Sequence, residues 1–252
     1  MAPKRRGVKS RLSGKQPGLF VDIFSGTGCV SKAAGKQRYK VITVDKEARP
    51  GQYERKPRAQ IDGDVHSQEV QKQLFALKPD VAWASVPCEN VSRAKTTGTK
   101  RTLNQTRKNV ALVKRLFAHW AKKKRFVGIV ENPTGGLAKL GLMSKYHKHT
   151  VHYCMYHDAT IDDFESEYKK ATDIFTTRPT PFVAEKCSKE NPCPFAFVNK
   201  KTGKLNHPQT AQAGPSSTNQ VGTATLAERY HVPGRLVYAL LSASHHAPAS
   251  AK

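Results

Sequence analysis

The sequence predicts an α/β fold in which short apolar strands alternate with helices around a parallel sheet. Three observations carry this. Apolar runs recur between segments of helical spacing, a glycine turn follows the first run, and the unusual polar residues fall at the ends of the runs. A chain of 252 residues suits one such domain with a modest second lobe.

The elements follow in order. Leu19 to Phe24 is an apolar run ending in Ser25-Gly26-Thr27-Gly28, and Cys29 to Ala34 then reads as the start of a helix. Lys40 to Asp45 reads as a second strand, Ile61 to Val65 as a weaker third and Asp80 to Ser85 as a fourth. Gln68 to Leu77 has helical spacing. Between Thr106 and Lys122, apolar residues at Val110, Val113, Leu116, Phe117 and Trp120 form a helical stripe, and Phe126 to Val130 is a fifth strand. Further on, Thr150 to Tyr156 and Thr172 to Thr177 read as additional strands. Thr180 to Asn219, rich in Pro, Lys, Asn, Gly and Ser, reads as a small irregular lobe. Arg235 to Ala243 is an apolar helix placed to return to the sheet, with Pro233 near its first turn. The expected organisation is a basic tail over 1–17, a catalytic domain over 18–179, a recognition lobe over 180–222, and a returning helix with a short tail over 223–252.

Charge narrows the function classes. Lys and Arg number 43 against 19 Asp and Glu, a net +24. The excess is concentrated: residues 1–16 carry six cations and no acid, and Arg93 to Arg125 carries twelve cations and no acid. A single-sign surface of this kind attracts a polyanion through counterion release, the alternative being a solvated face or a targeting tail. No apolar run is long enough to span a bilayer and no secretion signal is visible, so the expected setting is intracellular: the nucleus if the host is eukaryotic, the cytoplasm otherwise. Five cysteines in such a setting point to catalysis, metal binding or burial before disulfides.

The chemistry-bearing residues converge. Gly26 and Gly28 follow the first strand, Asp45 ends the second, Asp64 follows the third, Pro87-Cys88 follows the fourth, and Glu131-Asn132 ends the fifth. Ligands bind at that carboxyl edge in open α/β sheets. Glycines let a ligand approach the backbone, and an acid about twenty positions on accepts from ribose hydroxyls, which suits an adenosine-containing cofactor. Cys88 is placed as a nucleophile, with a buried structural thiol as the alternative; Glu131 is placed to supply a proton or hold a ring, with a cap or surface carboxylate as the alternative. Cys154, Cys187, Cys193 and His207 form one further set, suited either to zinc or to simple burial.

Phe20-Val-Asp-Ile-Phe-Ser-Gly-Thr-Gly28, Pro87-Cys88 and Glu131-Asn132, in this order, resemble the cytosine carbon-5 DNA methyltransferases, and most closely their short virus- and phage-type members. The resemblance implies a Rossmann-like S-adenosylmethionine-dependent methyltransferase fold. It implies S-adenosylmethionine at Asp22, Phe24, Ser25, Gly26, Thr27, Gly28, Asp45 and Asp64. It also implies a flipped-out cytosine, attacked at carbon 6 by Cys88 and held by Glu131, with Pro87 and Asn132 beside them. Nucleic-acid contacts are expected from Ser92, Arg93, Lys95, Lys100, Arg101, Lys169 and Lys170. The expected partner is DNA, acted on by a monomer without a membrane; the same chemistry on RNA, or a non-catalytic nucleic-acid-binding protein of this fold, are the alternatives. The sequence departs from the family pattern at Val86 and Glu89 around the cysteine, at Pro133 after Glu-Asn, and in lacking the usual Gly-Asn near the last helix.

Overall fold

The structure, a computed structural model, describes residues 18–46, 60–87, 103–123, 125–158, 160–161, 168–210, 222–223 and 230–246. Seven strands form the central sheet: β1 (Leu19–Ile23), β2 (Lys40–Asp45), β3 (Ile61–Asp62), β4 (Val81–Ser85), β5 (Val127–Pro133), β6 (His147–His152) and β7 (Ala171–Thr176). Their spatial order is β3-β2-β1-β4-β5-β7-β6. The first five run parallel, whereas β7 is antiparallel to both β5 and β6. The order, with β1 central and crossovers to either side, is that of an open Rossmann-like α/β sheet.

Helices cover both faces, which is why the inner strands are apolar on both sides. On one face α1 (Cys29–Lys36) and α5 (Gly234–His245) bury Val30, Ala33, Leu236, Val237 and Leu240 against Phe20, Trp83 and Ile129. On the other, α2 (Gln68–Ala76) and α3 (Asn104–Trp120) bury Val70, Leu74, Val113, Leu116 and Phe117 against Val21, Ala82 and Val130. The α3 stripe predicted from spacing is the buried face. A four-residue helix, α4 (Gly136–Lys139), follows β5. Gly128 sits where β5 passes under α3, and a Cβ there would overlap the Phe117 ring, so this strand tolerates only glycine at that point.

Several expectations change. The sheet is not wholly parallel: β7 lies between β5 and β6 and runs antiparallel to both. The strand expected at Thr150 to Tyr156 lies earlier, at His147–His152, because the chain tightens into a 3-10 turn at Tyr153–Met155. The third strand is only Ile61–Asp62, since Gly63, at φ 146, turns the chain out of the ladder. Glu131 and Asn132 lie within β5 and pair with Ile174 and Asp173, because β7 extends the ladder to Pro133. The lobe holds two short ladders, β8 (Phe197–Val198) with β9 (Leu205–Asn206), and β10 (Gln209–Thr210) with β11 (Gly222–Thr223). Among the described residues no helix is long and apolar enough to cross a membrane.

Candidate active site

Register sets the carboxyl edge. Ile23 pairs with Val44 on one side and Ala84 on the other, and Ser85 pairs with Glu131. Asp45, the turn after β1, the segment after β4 and the Glu131-Asn132 pair therefore line one edge on adjacent strands.

The turn is built from unusual backbone. Phe24, Gly26 and Gly28 have φ of 59, 50 and 74, and for Phe24 that left-handed conformation carries a steric cost that glycine does not. Hydrogen bonds hold it: Ser25 N donates to Val44 O at 3.2 Å, Gly28 N to Ser25 O at 2.8 Å, and Gly26 N to Asp45 Oδ2 at 2.6 Å. Asp45 thus ties the glycine turn to the end of β2. A Cβ on Gly26 would meet nothing closer than Phe24 O at 3.8 Å, so open space lies beside it. Thr27 Oγ1 is buried without a hydrogen-bond partner.

Asp22 lies beneath this turn. It is buried, and its Oδ2 accepts from Ser31 Oγ at 2.5 Å in the first turn of α1. Burial pushes its carboxyl up to about 7, against the opposing Ser31 hydrogen bond and with the Asp45 charge adding to the rise. Asp64 is exposed; its Oδ1 accepts from His66 N at 2.8 Å and shapes the entry to α2, which Ser67 caps.

At the other half of the edge, two buried side chains organise the strand ends. Asn132 Nδ2 donates to the Val86 carbonyl at 2.9 Å, two residues before Cys88 in sequence. Glu131 Oε1 accepts from the Tyr153 hydroxyl at 2.8 Å. Tyr153 is fully buried, and burial together with the Glu131 charge holds its hydroxyl well above the ordinary range, so it remains a donor. Lys170 Nζ lies over the Tyr153 ring, 4.6 Å from its centroid, and Lys169 Nζ donates to the Cys187 carbonyl at 2.9 Å. Pro87 is exposed. Cys88, Ser92, Arg93, Lys95, Lys100 and Arg101 lie outside the described residues, as do the tail 1–17 and residues 211–221 of the lobe.

The basic segment divides. Arg107, Lys108 and Arg115 are exposed on α3 and Lys122 just beyond it, whereas Lys123 pairs with Asp80 at 2.6 Å and donates to the Lys78 carbonyl. Cys154, Cys187, Cys193 and His207 come together, all buried, with their ligand atoms within 4.8 Å of one another.

Sequence reading missed Tyr153 as the partner of Glu131, and His66 with Asn109, whose 2.7 Å hydrogen bond joins the turn before α2 to α3. Neither pair has a local motif; each meets only through strand order.

No protein-family profile matches the chain. Over 233 residues it is 28% identical to the probable DNA (cytosine-5)-methyltransferase of Frog virus 3 (isolate Goorha), covering 88% of this chain and 98% of the viral protein. The resemblance carried by the motifs thus extends along nearly the whole of a viral relative. Among solved structures the chain is similar to a Spodoptera frugiperda DNMT2 mutant (TM-score 0.39, 8% identity, 72% of this chain and 58% of that one). It is similar also to S. pombe Dnmt2 (TM-score 0.37, 8% identity, 75% and 57%) and to precorrin-6y C5,15-methyltransferase of Geobacter metallireducens (TM-score 0.32, 13% identity, 64% and 80%). The chain spans less than two thirds of either DNMT2 chain.

Proposed function

We propose that this protein transfers a methyl group from S-adenosylmethionine to carbon 5 of cytosine in DNA, through a covalent adduct of Cys88 with a base rotated out of the duplex. The observation that carries the reading is the pairing of two devices on one sheet edge: a left-handed glycine turn tied to Asp45, and a buried Glu131 held by Tyr153 beside the segment that leads to Cys88. Similarity to a viral protein described as a probable DNA (cytosine-5)-methyltransferase supports it.

The residues present fit the donor. The space beside Gly26 admits a ligand against backbone, and the partnerless Thr27 Oγ1 is a buried polar atom that a bound cofactor would satisfy. Bound there, S-adenosylmethionine supplies an electrophilic methyl on a sulfonium. Asp45 would accept from the ribose hydroxyls, and Phe24 would pack beside the adenine. Asp22, turned toward Ser31, acts by fixing α1 and the turn above it.

On the base, the Cys88 thiolate would add to carbon 6, and the displaced carbon 5–carbon 6 electron pair would take the methyl as its bond to sulfur breaks, that pair staying on sulfur so that S-adenosylhomocysteine leaves. Removal of the carbon 5 proton restores the double bond and expels the thiolate. Glu131, with Oε1 engaged by Tyr153, would accept from the exocyclic amine through Oε2. Asn132 fixes the Val86 carbonyl and so the start of the cysteine segment. Lys169, Lys170 and the exposed cations of α3 contact phosphate.

The test is incubation with methyl-labelled donor and, separately, duplex DNA, single-stranded DNA and structured RNA, followed by nucleoside analysis. Labelled 5-methylcytosine from duplex DNA is expected. Label confined to RNA would move the substrate, and label on no cytosine would remove the reading.

A further inference from the structure

Between Cys187 and Gln209 the chain buries only four side chains: Cys187, Cys193, Asn199 and His207. Asn199 serves its own turn, accepting from Lys201 N and Thr202 N at 2.9 and 3.1 Å. The other three meet Cys154, which stands in the 3-10 turn at the end of β6. Over these described residues the buried centre is a cluster of sulfur and imidazole, with only the partly buried Phe195, Ala196 and Leu205 packed against it. Segments this short and this poor in buried apolar surface need a staple.

We propose that Cys154, Cys187, Cys193 and His207 bind one zinc ion that clamps the lobe to the catalytic sheet. The four ligand atoms lie within 4.8 Å of one another. His207 Nε2 is 3.6 Å from Cys187 Sγ and 3.3 Å from Cys193 Sγ. Zinc bonds of about 2.3 Å to sulfur and about 2.0 Å to nitrogen, set at tetrahedral angles, put neighbouring S and N ligands about 3.5 Å apart. The two His207 contacts thus have the spacing of a zinc tetrahedron, the remaining sulfurs lie within about 1 Å of its edge length, and four protein ligands would close the coordination sphere, as in structural sites.

The surroundings fit the same ion. Cys193 N donates to Cys187 Sγ at 3.3 Å, a hydrogen bond that stabilises a thiolate. His152 Nδ1 accepts from Cys187 N at 2.9 Å, and Lys169 Nζ donates to the Cys187 carbonyl at 2.9 Å, so Cys187 is fixed from both sides of its peptide. Three thiolates and one divalent ion leave a single negative charge, which the Lys169 ammonium offsets. Buried thiols could offer His207 Nε2 one S–H hydrogen bond, whereas a shared ion accounts for two sulfurs at that nitrogen and a third beside them. A disulfide would use two of the three cysteines and leave a thiol and an imidazole without purpose.

The site's place in the fold gives it a consequence. Cys154 directly follows Tyr153, whose hydroxyl holds Glu131. The ion therefore ties the lobe to the residue that positions the candidate catalytic carboxylate.

The test uses the full chain, expressed in zinc-supplemented medium and purified without chelator. Elemental analysis should find about one zinc per chain in the wild type and in Cys29→Ser, and near none in Cys187→Ser or Cys193→Ser. Because those variants risk misfolding, a second measurement uses the wild type alone: exchange of zinc for cobalt(II) should give the thiolate charge-transfer bands and intense red-region absorption of a tetrahedral sulfur-rich site. Metal-free wild-type protein whose lobe resists protease, full zinc content in the Cys187→Ser and Cys193→Ser variants, or an octahedral cobalt spectrum would each overturn the proposal.

Discussion

Replacing Asp22 by Asn should make the protein more stable at alkaline pH and change it little in acid. Asp22 is buried beneath the glycine turn, and desolvation raises its carboxyl from an ordinary 3.8 to about 7. The unfolded chain releases this proton near 4, whereas the folded chain keeps it until about 7. Between those values the folded state binds more protons, so stability falls as pH rises. The stabilisation is fully present below the unfolded value and lost above the folded one. Roughly three pH units at about 1.4 kcal/mol each set a ceiling of about 4 kcal/mol, reached above pH 7. Asn cannot ionise and retains a hydrogen bond to Ser31. Urea denaturation of wild type and Asp22→Asn at matched pH isolates the group, because every other titration is common to both. Their difference should grow from near zero at about pH 4 to a few kcal/mol in favour of the variant at about pH 8. A difference independent of pH would refute the assignment of Asp22 as a buried carboxyl that ionises late.

Three further outcomes are expected. Tyr153→Phe should lower kcat about tenfold or more while donor affinity stays unchanged, since a hydrogen bond to a charged group contributes on the order of 1.5–3 kcal/mol; equal losses in donor binding would place the tyrosine elsewhere in the site. Gly128→Ala should destabilise the fold by about 1–3 kcal/mol through overlap with Phe117, read from the denaturation midpoint. Replacing Arg107, Lys108 and Lys122 together with Ala should weaken DNA binding across sequences and flatten its salt dependence by about one unit of slope for each phosphate left without its cation. Lys123→Ala, which removes an exposed pair with Asp80, should leave the slope intact.

Strands β1, β4 and β5 were legible because each is a short apolar run bounded by polar residues, the signature of a strand buried on both faces, while β2 and the two-residue β3 were marked by their place between helical segments. Their ends therefore located the edge on which Gly26, Asp45 and Glu131 lie. The reversal of β7 was not legible. Ala171 to Thr176 reads as a strand in either direction, and its buried Thr172, Asp173 and Thr176 depend on neighbours that only pairing supplies, such as Thr150, which donates to Asp173. The boundary of β6 slipped because Val151, Tyr153 and Tyr156 continue an apolar pattern past the point where the backbone tightens. The Tyr153–Glu131 hydrogen bond joins β5 to the turn after β6, which is not its neighbour in the sheet, and a single sequence carries no signal for it. The four candidate metal ligands were visible as residue types, and their meeting depended on a lobe whose path composition alone does not fix.

Covalent trapping tests the central claim most directly. A duplex carrying 5-fluorocytosine, incubated with the protein and S-adenosylmethionine, presents a carbon 5 that has no proton to lose, so elimination is blocked after methylation. The expected result is a denaturation-resistant protein–DNA complex whose linked peptide, by mass spectrometry, contains Cys88, and its absence in Cys88→Ala. Ordinary DNA methylated at carbon 5 without any trapped complex on the fluorinated duplex, or a complex linked through another residue, would contradict the account.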